Sequence, residues 1–181
     1  MKPQQEIQGA ISLEEPRAKL LSATRRFVQA AKNCNGVLRI ALIGSLTTGK
    51  AIPKDTDLLV IIEHSVDLAP LALIGRRLQG SLQSHKLGAD IFLASSDGAY
   101  IGRICPYREC RPRMACRAEH CGRHPYLNDD LHVVALSDEL ISFPPVELRP
   151  RVVRNCSLPE DVELLLIDKV DEARLRAQTN C

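Results

Sequence analysis

Residues 37–63 read VLRIALIGSLTTGKAIPKDTDLLVIIE, and this stretch decides the fold. It contains two apolar runs, residues 37–43 and 57–63, whose Val, Ile and Leu content predicts two buried β-strands. Gly44 ends the first run. Residues 44–54 are mostly small or polar and include Pro53, which is typical of a turn. The stretch therefore predicts a strand, a turn and a second strand.

Helical patterns lie on both sides of this stretch. Before it, apolar residues between positions 20 and 31 recur at helical spacing and predict a first helix that ends near residues 33–36. After it, Leu71, Ile74, Leu78 and Leu82 fall on one helical face. Residues 89–94, ADIFLA, then predict a third strand. This order predicts an α/β (α+β) fold, a small mixed β-sheet with helices packed on it.

The C-terminal part of the chain is less regular. Residues 131–136 predict a fourth strand, whereas residues 143–150 carry three prolines and predict an irregular connection. Ser157, Pro159 and Glu160 mark the start of a last helix. With 181 residues and no internal repeat, we expect one domain over residues 1–181, with a cysteine-rich insertion at residues 100–126.

Composition and charge narrow the classes of function. The chain has 24 Lys and Arg against 22 Asp and Glu, and a net charge of +2 is too small to indicate a nucleic-acid partner by itself. No signal-peptide pattern is visible, and no window approaches the roughly 20 apolar residues of a membrane span. Seven cysteines without an export signal argue against a disulfide framework. We therefore expect a cytoplasmic protein with no membrane partner.

Three aspartates stand at the predicted strand ends. Asp55 and Asp57 are two residues apart, so the alternation of a strand places both carboxylates on one side of the sheet. Asp90 lies within an apolar run, where an isolated charge is costly without a cation or hydrogen bonds. A divalent cation would stabilise all three ionised groups, and hard oxygen ligands favour Mg²⁺ or Mn²⁺. The pattern predicts a metal site suited to two-metal phosphoryl transfer.

The turn before these aspartates suits a phosphate group. Gly44 would let backbone N–H groups approach a phosphate closely, Ser45 supplies a hydroxyl donor, and Lys50 adds a cation. Gly44-Ser45, nine residues, Asp55-Thr56-Asp57 and a later Asp90 resemble the signature of the polymerase-β-type nucleotidyltransferases. The short chain resembles the minimal nucleotidyltransferases and the catalytic half of aminoglycoside nucleotidyltransferases more than a template-directed polymerase, and the resemblance covers about half of it.

The resemblance implies a reaction and a role for each residue. Gly44 and Ser45 would grip the triphosphate of ATP or another NTP. Asp55 and Asp57 would bind both metal ions, and Asp90 would help to deprotonate the acceptor hydroxyl. The enzyme would then transfer a nucleoside monophosphate and release pyrophosphate. The sequence does not identify the hydroxyl acceptor.

Other interpretations of these residues stay open. An Asp-x-Asp pair also occurs in turns, where Asp caps backbone groups. An inactive copy of the fold would act as a nucleic-acid-binding module or as an antitoxin-type partner-binding module. Gly44 and Gly49-Lys50 also fit part of a P-loop, but Ala51 stands where Ser or Thr should bind Mg²⁺, and Pro53 interrupts the helix that should follow.

Four cysteines crowd into seventeen residues of the insertion, and two histidines lie beside them. They are Cys105, Cys110, Cys116, Cys121, His120 and His124. Because this segment has few apolar residues, a structural Zn²⁺ site would supply the folding energy that it lacks, with a histidine able to replace a cysteine as ligand. Free thiols and an iron–sulfur cluster are the alternatives.

The same insertion is rich in arginine. Residues 103–123 contain six arginines and two glutamates. Such a segment would suit a polynucleotide backbone, a protein partner or an anionic acceptor beside the active site, while an ordinary solvated surface is the alternative. We therefore expect an NTP and a hydroxyl acceptor as ligands, with a nucleic acid or a protein as a further partner.

Overall fold

The computed structural model of this protein describes residues 15–105, 124–128 and 131–171. Helices pack on a seven-stranded mixed sheet, so the predicted mixture of sheet and helix is correct. The first half contains α1 (Pro16–Ala31), β1 (Val37–Ile43), a 3₁₀ turn (Gly44–Thr47), β2 (Asp55–Ile62), α2 (Ala69–Gln83) and β3 (Gly88–Ser95). This is the order that the sequence predicts.

The second half adds shorter elements. They are β4 (Tyr100–Ile104), β5 (Leu127–Asn128), α3 (Asp138–Ser142), β6 (Val146–Arg149), β7 (Val153–Arg154) and α4 (Glu160–Val162), which continues as a π-helical turn (Glu163–Ile167). None of the helices in the described residues is long and apolar enough to cross a membrane.

The strands follow the spatial order β5-β4-β3-β2-β1-β6-β7. Strands β2 and β3 are parallel and are joined by α2, while all other neighbouring pairs are antiparallel. A parallel pair needs a crossover connection, which is why a helix lies between these two strands in the sequence. The longest and most apolar strands therefore occupy the centre of the sheet.

The sheet separates two apolar cores. On one side, Phe27 of α1, Leu78 of α2 and Leu166 belong to the same buried cluster as Leu58 and Leu93 of the sheet. The opposite side carries a smaller cluster, composed of Ala41, Ile43, Leu59, Ile61, Ala94 and Ile141. Because successive strand residues point to opposite faces, burial of both faces explains why the central strands read as continuous apolar runs.

Two predictions for the C-terminal part are wrong. Residues 131–136 form no strand: Leu131 and Val133 are exposed, and only Leu136 packs against the smaller core. Residues 143–150 are not irregular throughout, because they contain β6, which pairs with β1. The prolines flank this strand rather than interrupt it, and Val146 and Leu148 are buried in alternation with Glu147.

The predicted insertion begins inside the sheet. Tyr100–Ile104 is strand β4, which pairs with β3 and, at its end, with β5. Residues 106–123 lie outside the described residues. The division into one domain with an insertion at residues 100–126 therefore stays a prediction.

Candidate active site

The three predicted aspartates lie on one face of the sheet, near the starts of β2 and β3. Asp57 pairs in register with Asp90 across the parallel strands, so their side chains leave the sheet on the same side. Thr56 points to the helix side, where its buried Oγ1 lies 2.8 Å from Oγ1 of Thr24 in α1. Asp55 and Asp57 therefore point together to the opposite side, as the alternation of the sequence predicts.

Gly44 brings the turn after β1 against the Asp57 carboxylate. Ile43 pairs with Asp57, and Gly44 then takes a positive φ of +73°, a conformation that glycine adopts at little cost. A Cβ atom at position 44 would lie 2.8 Å from Cγ of Asp57 and closer still to Oδ2. Only glycine therefore lets the turn approach this aspartate so closely.

The Asp57 carboxylate is in an unfavourable environment for a negative charge. Burial, followed by the charges of Asp55 and Asp90, raises the pKa of Asp57 to about 6. The backbone N–H of Ser45, which donates a hydrogen bond to the carboxylate, and the charge of Lys50 oppose this rise in pKa. The three carboxylates are thus close enough to repel one another, and a cation would relieve that repulsion.

The side-chain hydroxyl of Ser45 lacks a hydrogen-bond partner among the described residues. Its Oγ is buried. A buried hydroxyl in a folded protein is normally paired, so the Ser45 hydroxyl is available to a water molecule, an ion or a ligand. A phosphate oxygen beside the turn would accept the hydroxyl proton and remove this defect.

Arg103 is a member of the site that the sequence did not single out. Its Nη1 donates a hydrogen bond of 2.9 Å to Oδ1 of Asp90, and its guanidinium carbon lies 5.9 Å from the ring centroid of Phe92. Arg103 pairs with Phe92 in the antiparallel β3-β4 ladder, so it points to the same face as the aspartates. The sequence could have placed Arg103 here only if the register of β4 had been known.

The donor set fits a hard divalent cation, although it does not form a closed site. Among residues 15–105, 124–128 and 131–171, no three His, Cys, Asp or Glu side chains are grouped tightly enough to hold a metal ion. Asp90 is engaged by Arg103, and Asp57 by the Ser45 N–H. Oxygen ligands on adjacent strands, together with the unpaired Ser45 hydroxyl, are still the chemistry that Mg²⁺ and a phosphate require.

The predicted zinc site falls mostly outside the described residues. Cys110, Cys116, Cys121 and His120 belong to residues 106–123, as do all the arginines of the 103–123 segment except Arg103. Cys105 is buried at the end of β4, where its backbone N–H donates to the carbonyl of Tyr126 over 2.7 Å, and His124 Nδ1 lies 3.0 Å from the carbonyl of Pro125. The zinc ligands therefore stay a prediction.

The fold and the site define a mixed α/β protein with an aspartate cluster beside a Gly-Ser turn. Residues 4–109 match a family described as a family of unknown function, DUF6932. The match covers more than half of the chain, so the protein belongs to that family. It extends from α1 to β4 and includes the three aspartates, the turn and Arg103. No curated protein and no solved structure matches the chain.

Proposed function

We propose that this protein is a metal-dependent nucleotidyltransferase, which transfers the nucleoside monophosphate of an NTP to a hydroxyl acceptor. One observation carries the proposal: Asp57 and Asp90 are paired in register on adjacent strands, with Asp55 on the same face and the Gly44-Ser45 turn against Asp57. Carboxylates that repel one another beside an unpaired buried hydroxyl fit a site for cations and a polyphosphate. ATP is the first nucleotide to test.

Each residue has a role in this proposal. Asp55, Asp57 and Asp90 would hold Mg²⁺ or Mn²⁺, which would supply neutralisation of the charge on the phosphates. Ser45 donates its hydroxyl hydrogen to a phosphate oxygen, and Lys50 adds a positive charge near the leaving pyrophosphate. Positioning and charge neutralisation are the main requirements of phosphoryl transfer, and these side chains supply both.

The proposed reaction needs no reactant besides the NTP and the hydroxyl acceptor. The acceptor oxygen forms a bond to the α-phosphorus, the bond from that phosphorus to the bridging α–β oxygen breaks, and pyrophosphate leaves with the electron pair. Asp90 helps to take the acceptor proton. Arg103 donates to Oδ1 of Asp90, which leaves Oδ2 as the oxygen outside this hydrogen bond.

The experiment compares two labels on ATP. The purified protein is incubated with Mg²⁺ or Mn²⁺ and with pools of small molecules, proteins or RNA as acceptors, and with ATP labelled at either the α- or the γ-phosphate. Label should reach the acceptor from the α-phosphate only. It should disappear in the Asp55→Asn/Asp57→Asn variant. Transfer from the γ-phosphate would indicate a kinase instead, and unchanged transfer by the variant would reject the proposed site.

The Arg103–Asp90 ion pair supports a second candidate, a catalytically inactive binding module. A guanidinium that already neutralises Asp90 could replace a cation at that position and stabilise the fold without catalysis. This candidate predicts no NTP-dependent transfer. It also predicts binding of RNA or a protein partner that weakens with salt and survives Asp55→Asn/Asp57→Asn.

The cysteine cluster adds a proposed Zn²⁺ site with a structural role, held by Cys105, Cys110, Cys116 and Cys121, with His120 or His124 as a substitute ligand. Cytoplasmic, reducing conditions would keep these thiols available. Elemental analysis should find about one zinc per chain.

The matched control for this site is an exposed cysteine elsewhere in the chain. Cys105→Ser should lower the zinc content, whereas Cys156→Ser, at an exposed position, should leave it unchanged. Protein that contains iron, or no metal under reducing conditions, would reject the zinc site.

A further inference from the structure

Arg17, in the first turn of α1, connects three parts of the molecule. Its Nε and Nη2 donate hydrogen bonds of 2.5 and 2.9 Å to the two carboxylate oxygens of Asp161 in α4. The same guanidinium donates to the carbonyls of Leu46, Thr48 and Lys50, over 3.1, 3.2 and 2.9 Å. A guanidinium thus joins both helices to the turn between β1 and β2.

The Arg17–Asp161 ion pair is largely shielded from solvent. The exposed fractions of the side chains are 12% for Arg17 and 18% for Asp161, and the pair has the two-pronged geometry that arginine and carboxylate form best. Lysine has no planar fork and could not satisfy a carboxylate and three carbonyls together. A lysine at position 17 would therefore lose part of this set of hydrogen bonds.

The carbonyls that Arg17 holds belong to the turn that carries the proposed phosphate ligands. In a trans peptide unit the C=O and the following N–H point in opposite directions. With the carbonyls of Leu46, Thr48 and Lys50 directed to Arg17, the N–H groups of Thr47, Gly49 and Ala51 point away from it. The guanidinium therefore contacts the peptide units that orient these N–H groups and that place Lys50.

We infer that Arg17, braced by Asp161, is a positioning residue that sets the turn of residues 44–51 for the phosphates of the nucleotide. This inference rests on the proposed function, because it assigns the turn to the nucleotide. Arg17 acts through the backbone of the turn and contacts no reacting atom. The family match ends at residue 109, so Asp161 ties a later part of the chain to the proposed site.

The test uses Arg17→Lys, Asp161→Asn and a control, Arg26→Gln. The control changes an exposed arginine of the same helix, whose Nη1 donates to Oγ of Ser22 over 3.1 Å. Hydrogen exchange of the backbone amides of residues 46–51 should become faster in the first two variants and not in the control. The amides of β3 should keep their protection in all of them. Unchanged exchange in the turn would overturn the inference.

A second readout separates this inference from the proposed function. In Arg17→Lys the KM for ATP should rise about tenfold, with kcat altered much less, because the turn binds phosphate less well while the aspartates are intact. If kcat of Arg17→Lys fell in proportion to its fraction of folded protein, with no change in KM, the role of Arg17 would be purely structural and the inference would be overturned. Wild-type protein that neither binds nor uses ATP would overturn the proposed function as well, whereas an unchanged KM in Arg17→Lys would overturn the inference alone.

Discussion

The Asp57 carboxylate packs directly against the α-carbon of Gly44, with no room between them for even a methyl group. The contact joins the turn after β1 to the acidic start of β2, so the two halves of the proposed site have a fixed separation. It also holds the Ser45 N–H against the carboxylate. Substitutions at either residue should therefore change both the stability of the fold and its affinity for cations.

Gly44→Ala should destabilise the protein by about 2 kcal/mol or more, because alanine at a positive φ is strained and its Cβ would displace the Asp57 carboxylate. Gly49→Ala is the matched control, since a Cβ at position 49 in the same turn meets no atom within 4 Å. Denaturant unfolding of both variants measures the difference. Equal stability of the two variants would show that the Gly44–Asp57 contact is not tight.

Asp57→Asn should stabilise the metal-free protein at pH 8. A carboxyl group whose pKa is raised to about 6 binds a proton in the folded state that the unfolded chain has already lost, so stability falls as pH rises from about 4 to about 6. Asparagine removes that penalty while its carbonyl oxygen can still accept from Ser45. After allowance for solvent screening, we expect a gain of about 1–2 kcal/mol at pH 8.

The control for this prediction is Asp97, whose pKa is shifted in the opposite direction from that of Asp57. A hydrogen bond from the Ser95 hydroxyl lowers the pKa of Asp97, so ionised Asp97 adds stability that is lost as the pH falls. Asp97→Asn should therefore not stabilise the protein at pH 8. Unfolding curves between pH 4 and 8 in the presence of a chelator compare the variants, and a wild type that is more stable than Asp57→Asn at pH 8 would contradict the prediction.

The hydrogen bond between Thr24 and Thr56 should stabilise the packing of α1 against β2. Thr56→Val alone leaves a buried hydroxyl on Thr24 unpaired and should cost about 1–2 kcal/mol. The double variant Thr24→Val/Thr56→Val removes both hydroxyls and should cost less than the two single changes added together. A double-mutant cycle measured by thermal unfolding tests this, and additive losses would mean that the hydroxyls contribute independently.

Arg103→Gln should raise the affinity of the protein for Mn²⁺ about threefold, because it removes a positive charge that competes for Asp90. Arg39→Gln is the control: Arg39 pairs with Glu147 over 2.7 Å and lies opposite Ile61 of β2, four residues along the strand from Asp57. Mn²⁺ titrations of the two variants give the comparison. Weaker Mn²⁺ binding by Arg103→Gln would indicate that the arginine supports the ligand geometry.

The sequence predicts the first half of the fold well because its signals there are local. Residues 37–43 are observed as β1 without change, and the aspartates share a face because the period of a strand requires it. The sequence does not predict strand β6, because prolines are typical of irregular segments, although here they stand before Val146 and after Arg149. A four-residue strand between prolines has too short a pattern to detect.

The sequence does not predict the contacts between residues that are far apart along the chain. The pairing of Asp57 with Asp90 depends on the crossover through α2, and the position of Arg103 depends on the register of β4. Arg17 and Asp161 are 144 residues apart, and neither stands in a recognisable motif. Local periodicity identifies which face a residue occupies, but only the assembled sheet identifies its neighbours.

Mn²⁺ titration followed by electron paramagnetic resonance tests most directly whether the aspartates of β2 and β3 form a cation site. Wild-type protein and the Asp55→Asn/Asp57→Asn variant should be compared at pH 7.5, each with and without ATP. We predict that the wild type binds Mn²⁺, more tightly when ATP is present, and that the variant loses this binding while keeping its fold. Identical binding curves for the two proteins would contradict the account.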